Sequence, residues 1–264
     1  MTPARSAGSQ RLLTLGRPQL WLPLLSLAIV LGAWEIVGRS IDPLLFAPPS
    51  RVVEAFADLL ASGALVRAAS TTLQALIVGY LLAIATGVPA GVAMGVWAGL
   101  GRILQPYLYG VFATPRVVVV PLIIVWFGIG YTARVFLVFL WSAIAISTNT
   151  AAGVRNARPD LVDVARSFGA NRIQMARHVL IPGAIPFVVA GLLFGAERAM
   201  VGVIIGEMFL QITGLGGLIE ESSERFRPAE MLCAVVVVAL IGTILITALD
   251  ALERRVQSWR AEGS

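Results

Sequence analysis

The chain has 264 residues, 58% of them hydrophobic and 13% charged, with a mean hydropathy of +0.85; soluble domains carry roughly 25% charged residues, so an ordinary soluble globular protein is excluded. All 20 residues of the Lys and Arg class are Arg, beside a single His (His178) and a single Cys (Cys233). A P-loop with its phosphate-binding Lys, a Schiff-base enzyme and a zinc site built from several His or Cys ligands are therefore excluded for this chain by itself. The net charge of +5 does not imply nucleic acid, because the Arg residues sit between long apolar stretches instead of on one basic soluble face.

A bilayer-spanning helix needs about 20 mainly apolar residues. Six candidates follow in chain order, at residues 20–37, 73–97, 104–127, 135–150, 185–209 and 231–249. Arg5, Arg11 and Arg17 ahead of the first run also fit a signal peptide, but the run closes on Trp34-Glu35-Ile36-Val37 without a small-x-small cleavage pattern, and five more spans follow. Between the first two spans, residues 50–61 predict a short helix at the outer interface. Ser50 is the expected N-cap, and Val53, Phe56, Ala57 and Leu60 share a face.

Gly87, Gly91 and Gly95 in the second span recur every four residues, as do Gly191 with Gly195 and Gly202 with Gly206 in the fifth. Such stripes allow close helix approach in lipid, either within the chain or between two copies. Pro89, Pro115 and Pro121 predict kinks. Arg116 in the third span and Glu197 with Arg198 in the fifth are costly in hydrocarbon and are expected to face a cavity or a partner. Arg116 and Arg198 are candidate pathway residues for an anion. Glu207, near the outer end of the fifth span, is a candidate gate or docking residue, and Glu35 reads as a headgroup-level carboxylate.

Six spans place both termini on one side. With the N-terminus inside, the inner segments hold twelve Arg and the outer segments six, which selects cytoplasmic termini. The expected organisation is a tail over residues 1–19, one transmembrane domain over 20–250 and a tail over 251–264, with no soluble domain.

The fourth and fifth spans are joined by a cytoplasmic loop at residues 155–182. Leu161, Val164, Ala165 and Phe168 fall at i, i+3, i+4 and i+7, giving a short amphipathic helix, after which Gly169 permits a turn and Pro182 and Pro186 lead into the fifth span. From the residues alone, a helix at the lipid headgroups and a helix docked on a partner fit equally.

This loop resembles the EAA motif of the integral membrane permeases of bacterial ABC importers. Asp163-Val164-Ala165 stands in place of Glu-Ala-Ala, Gly169 follows after three residues, and Val179-Leu180-Ile181-Pro182 follows after nine more. Pro121-Leu122 with Trp126-Phe127-Gly128-Ile129-Gly130, Asn149-Thr150 with Gly153-Val154, Glu207 with Gly214-Leu215-Gly216, and Leu252-Glu253-Arg254-Arg255 with Trp259 are similar to permeases of the nitrate, sulfonate, taurine and bicarbonate group.

The resemblance implies an all-α polytopic permease in the bacterial inner membrane. It also implies a second copy, two cytoplasmic ATPase subunits that carry the ATP and Mg, an extracytoplasmic solute-binding protein, and no cofactor on this chain. By the same resemblance Leu161, Asp163, Val164, Ala165, Phe168, Gly169, Val179, Ile181 and Pro182 form the ATPase coupling element. A secondary transporter or an ion channel acting alone is the competing reading, and transport that depends on ATP and a second subunit separates the two.

Overall fold

The computed structural model describes residues 21–210 and 214–261, and all regular structure among them is helical. The expected tail over residues 1–19 lies outside the described residues. Helix α1 (Trp21–Ser40) leads to the short α2 (Pro49–Ala61) and the long α3 (Ala64–Val96). Next come α4 (Ala98–Ala113), α5 (Arg116–Phe127) and α6 (Tyr131–Arg155). The chain ends with α7 (Pro159–Ser167), α8 (Arg172–Met175), α9 (Ile181–Leu210), α10 (Leu215–Glu224) and α11 (Pro228–Ala261).

Helix α6 is the centre of the bundle, gripped on two sides by glycine stripes. Along α3, Gly79, Gly87, Gly91 and Gly95 meet Val138, Ile146, Thr150 and Val154 of α6. The partners advance together four residues at a time, so α3 and α6 run parallel. Along α9, Gly191 and Gly195 meet Asn149 and Ile146, whereas Gly202 and Gly206 meet Leu137, so α9 is antiparallel to α6. Ile146, wholly buried, is wedged between Gly87 and Gly195. In lipid such close backbone approach is the main packing force. It is reinforced where Tyr80 Oη–H donates to the Leu192 carbonyl at 2.7 Å and Ser142 Oγ–H to the Gly195 carbonyl at 2.9 Å. Both predicted glycine stripes thus pack within the chain.

The parallel run of α3 and α6 settles the topology between them. Among the described residues five helices are individually long and apolar enough to cross a membrane, and α4 with α5, bent by 106°, are so only when taken together. Two parallel spans need an odd number of crossings in between, so the bent pair is read as crossing once, which makes six crossings among the described residues. The expected single third span is therefore two helices. The break falls at Thr114-Pro115, where proline removes a donor and restricts the residue before it. Pro89 and Pro121 lie inside uninterrupted helices, so the kinks expected there do not break α3 or α5.

Helix α2 differs from expectation in its cap. Pro48 occupies the N-cap position, and Ser50 donates from both its backbone N–H (3.0 Å) and its Oγ–H (2.8 Å) to the Glu35 carboxylate of α1. Glu35 also accepts from Arg39 Nε–H at 2.7 Å, so it ties α1 to the start of α2 and is more than a headgroup carboxylate. Val52, Ala55 and Leu59 turn inward, leaving Val53, Phe56 and Leu60 exposed.

Helices α7 and α10 end in the same way. After α7, Gly169 N–H donates to the Arg166 carbonyl and Ala170 N–H to that of Ala165, with Gly169 left-handed at φ +76°. After α10, Phe226 N–H donates to the Ser223 carbonyl and Arg227 N–H to that of Ser222, with Phe226 at φ +54°. A side chain in this region costs about 1–2 kcal/mol.

Candidate functional site

The loop between α6 and α9 is an exposed helical elbow. Pro159 sits in the first turn of α7, where its missing N–H costs nothing. Asp160 stabilises the same turn and is bridged by Arg158 Nη2 at 2.5 Å; this guanidinium holds the Asp160 carboxyl below the usual carboxylate range. Leu161, Val164 and Phe168 form the predicted stripe, and all three are exposed, Phe168 at 88%. Nothing among the described residues covers them fully. Asp163 points to solvent and meets Arg166 at 3.5 Å, while Ala165 is half-buried. No atom lies within 4 Å of a Cβ built on Gly169, so glycine is required there by the left-handed backbone and not by crowding.

Beyond the turn the path becomes continuous helix. Asn171 and Gln174 form a reciprocal capping box that starts α8. A π-helical turn at Ala176–Leu180 follows, in which Ile181 N–H bonds the Ala176 carbonyl, and Val179 lies within it. Pro182 falls at the head of α9, and the helical path runs from Arg172 to Leu210 without a gap. Pro182 and Pro186, expected to lead into the fifth span, therefore lie within a continuous helix that already starts at Arg172. At 1.5 Å per residue this rod is about 58 Å long.

Glu207 stands at its far end, wholly buried. Its Oε2 accepts from Thr72 Oγ1–H of α3 at 2.8 Å and from Gly216 N–H of α10 at 3.0 Å, and its Oε1 faces Arg134 Nη1 of α6 at 3.5 Å. Leu215 N–H donates to Thr72 Oγ1 at 2.9 Å. One carboxylate thus joins α3, α6 and α9 to the start of α10. A side chain on Gly214 would collide with this carboxylate, and Gly214 is also left-handed at φ +104°. Burial removes Glu207 from the docking surface considered for it in this conformation. Thr72 and Arg134 are not recognisable as its partners from sequence pattern; the one signal is an Arg only a few residues inside an apolar run.

Arg198, about two thirds of the way from Arg172 to Leu210, is half-buried with its guanidinium 5.4 Å from the centre of the Phe112 ring of α4. Glu197 is exposed on the adjoining face with Phe194. Arg116 begins α5 directly after the Thr114-Pro115 break, and its side chain lies outside the described residues. No group of His, Cys, Asp and Glu suited to a metal occurs among the described residues.

Comparison with known proteins places these features in context. Residues 83–260 match the family model described as binding-protein-dependent transport system inner membrane component. The chain is 28% identical to the taurine transport system permease protein TauC of Escherichia coli (strain K12), over 92% of this chain and 91% of that protein. It is 33% identical to the riboflavin transport system permease protein RibX of Chloroflexus aurantiacus, over 92% and 91% respectively. A solved structure of the MetNI methionine ABC transporter, in an inward-facing conformation, contains a chain of like fold, with a TM-score of 0.66 and 21% identity over 74% of this chain and 97% of that one.

Proposed function

Because this chain belongs to the family of binding-protein-dependent transport system inner membrane components, we propose that two copies of it pair in the bacterial cytoplasmic membrane and are driven by two ATPase subunits docked on residues 155–182. The chain is the permease subunit of an ABC importer, a non-catalytic transport component.

The observation that carries the docking reading is the stripe of Leu161, Val164 and Phe168, exposed at the tip of a turn that feeds directly into a rod. An apolar stripe left bare on a helix needs a covering surface. A separate ATPase supplies one, and it also supplies the phosphate-binding Lys that this chain lacks. Asp163, Ala165 and Gly169 shape the elbow, while Val179, Ile181 and Pro182 join it to the span. ATP and Mg belong to the partner. Movement of the docked elbow is carried along α9 to Glu207, where the outer ends of α3, α6 and α10 converge. Glu207 is then a gate residue that acts by holding these ends together.

The pathway runs beside the bent α4–α5 pair, and Arg198 faces it. A guanidinium at mid-membrane depth is costly against lipid and favourable beside water and an anion. Glu197 on the neighbouring exposed face gives the same reason for covering this side of α9 with the second copy. The solute is small, and Arg198 with Arg116 favours an anion. One relative is named for taurine and another for riboflavin, so Arg198, and not the names, supports the choice. The excess of inner Arg supports cytoplasmic termini, with an extracytoplasmic binding protein delivering the solute at the α2–α10 end. Copurification tests the docking: an ATPase subunit is expected with the intact chain and is expected to be lost on deletion of residues 160–177.

A further inference from the structure

We propose that Phe226, on the turn between α10 and α11, is the aromatic anchor on which the solute-binding protein docks. The inference rests on the importer reading above and on the orientation that puts this turn on the extracytoplasmic face.

The turn repeats a geometry found elsewhere in the chain. Helices α7 and α10 close with the same pair of backbone hydrogen bonds, and both place one residue in the left-handed region. In the first case that residue is Gly169. In the second it is Phe226, at φ +54°, the one non-glycine residue with positive φ among the described residues. Glycine satisfies such a turn without strain, whereas a bulky ring does not. Strain of this kind is tolerated where the side chain buries itself or serves a purpose. The Phe226 ring is 64% exposed, so burial within this chain does not offset the strain.

The surroundings present the ring on a firm platform. Arg225 is bridged to Glu221 at 2.5 Å and Arg227 to Glu230 at 3.3 Å, one ion pair on each side of Phe226. The ring borders a cleft of about 510 Å³ between the turn and α2, lined also by Arg51, Glu54 and Asp58. An exposed aromatic beside a mixed cleft, in which Glu54, Asp58 and Glu230 outnumber Arg51 and Arg227, fits a protein surface offering an apolar socket with both polar and basic groups at its rim. The cleft lies at the opposite end of α9 from the α7 elbow, so the ATPase does not reach it. The family to which the chain belongs works with a binding protein, and that protein is the occupant assigned here.

The test uses the complete complex of permease and ATPase in nanodiscs, titrated with its purified, solute-loaded binding protein and read by binding and by stimulated ATP hydrolysis. Phe226→Gly is expected to keep or raise thermal stability and to leave unstimulated hydrolysis unchanged. Half-maximal stimulation is expected to need about tenfold or more binding protein. Phe226→Trp is expected to retain most of the response. A Phe226→Gly complex that titrates like the unaltered one, or whose response shifts only with nanodisc lipid, overturns the assignment and leaves the ring as a headgroup contact. Absence of stimulation in the unaltered complex overturns the importer reading itself.

Discussion

Arg134 and Glu207 meet inside the bundle at 3.5 Å, with Glu207 fully buried and Arg134 nearly so. Removing one member of such a pair leaves an uncompensated charge, at about 3–5 kcal/mol, while replacing both with neutral groups costs far less. Glu207→Ala also strips acceptors from Thr72 and from the Gly216 amide. The single variant is expected to unfold at a distinctly lower temperature in detergent, and Arg134→Met combined with Glu207→Gln to recover part of that loss. Equal stability of the unaltered chain and Glu207→Ala would show that the node holds nothing together.

The seam between α3 and α6 sets a sharper steric limit. A Cβ on Gly91 would stand 2.5 Å from Thr150 Cβ and 2.6 Å from the Ser147 carbonyl, so backbone has to move to admit it. Gly91→Ala is expected to cost 1–3 kcal/mol or more by overpacking. Gly183→Ala, in a helix with no atom within 4 Å of the new methyl, is expected to be neutral or to stabilise by up to about 1 kcal/mol. Thermal denaturation of the two variants side by side checks the contrast.

Gly169 allows coupling to be separated from docking. Replacement by Leu strains a backbone at φ +76° at a position whose Cβ has open space around it, so the bundle is expected to survive while the elbow is re-aimed. In reconstituted vesicles, uptake is expected to fall at least tenfold while ATP hydrolysis continues. Undiminished uptake would sink the role given to the elbow.

Arg198 offers a test of solute class. Its guanidinium packs on Phe112 by a contact worth about 0.5–2 kcal/mol, so Arg198→Ala is expected to fold and assemble. Uptake of an anionic solute is expected to drop sharply in that variant, and Arg198→Lys to restore a part of it. Uptake at the unaltered rate would remove Arg198 from the pathway.

Much of this architecture is legible in the sequence because lipid imposes one strong rule: the spans must be long and apolar. The glycine stripes announced close packing, although only the coordinates show that they grip α6 from two sides. The amphipathic pattern at Leu161 to Phe168 is equally readable, since period and solvent exposure coincide there. The failures share a cause. Local pattern makes Ser50 the cap of its own helix, yet Glu35, fifteen residues earlier, accepts the hydrogen bond of the Ser50 amide. Glu207 gave no hint of Thr72, 135 residues away, or of Gly216 across a turn. Local pattern has no access to partners brought together by packing, and a proline break such as Thr114-Pro115 looks the same whether the chain kinks or turns through 106°.

This chain is expected to move solute only when a separate ATPase works on its α7 elbow. The most direct measurement is ATP-dependent solute accumulation in vesicles containing the chain with its ATPase and binding protein, compared with vesicles containing the chain alone. Accumulation is expected in the first, none in the second, and none in the first when residues 160–177 are deleted. Accumulation by the chain alone would contradict this expectation.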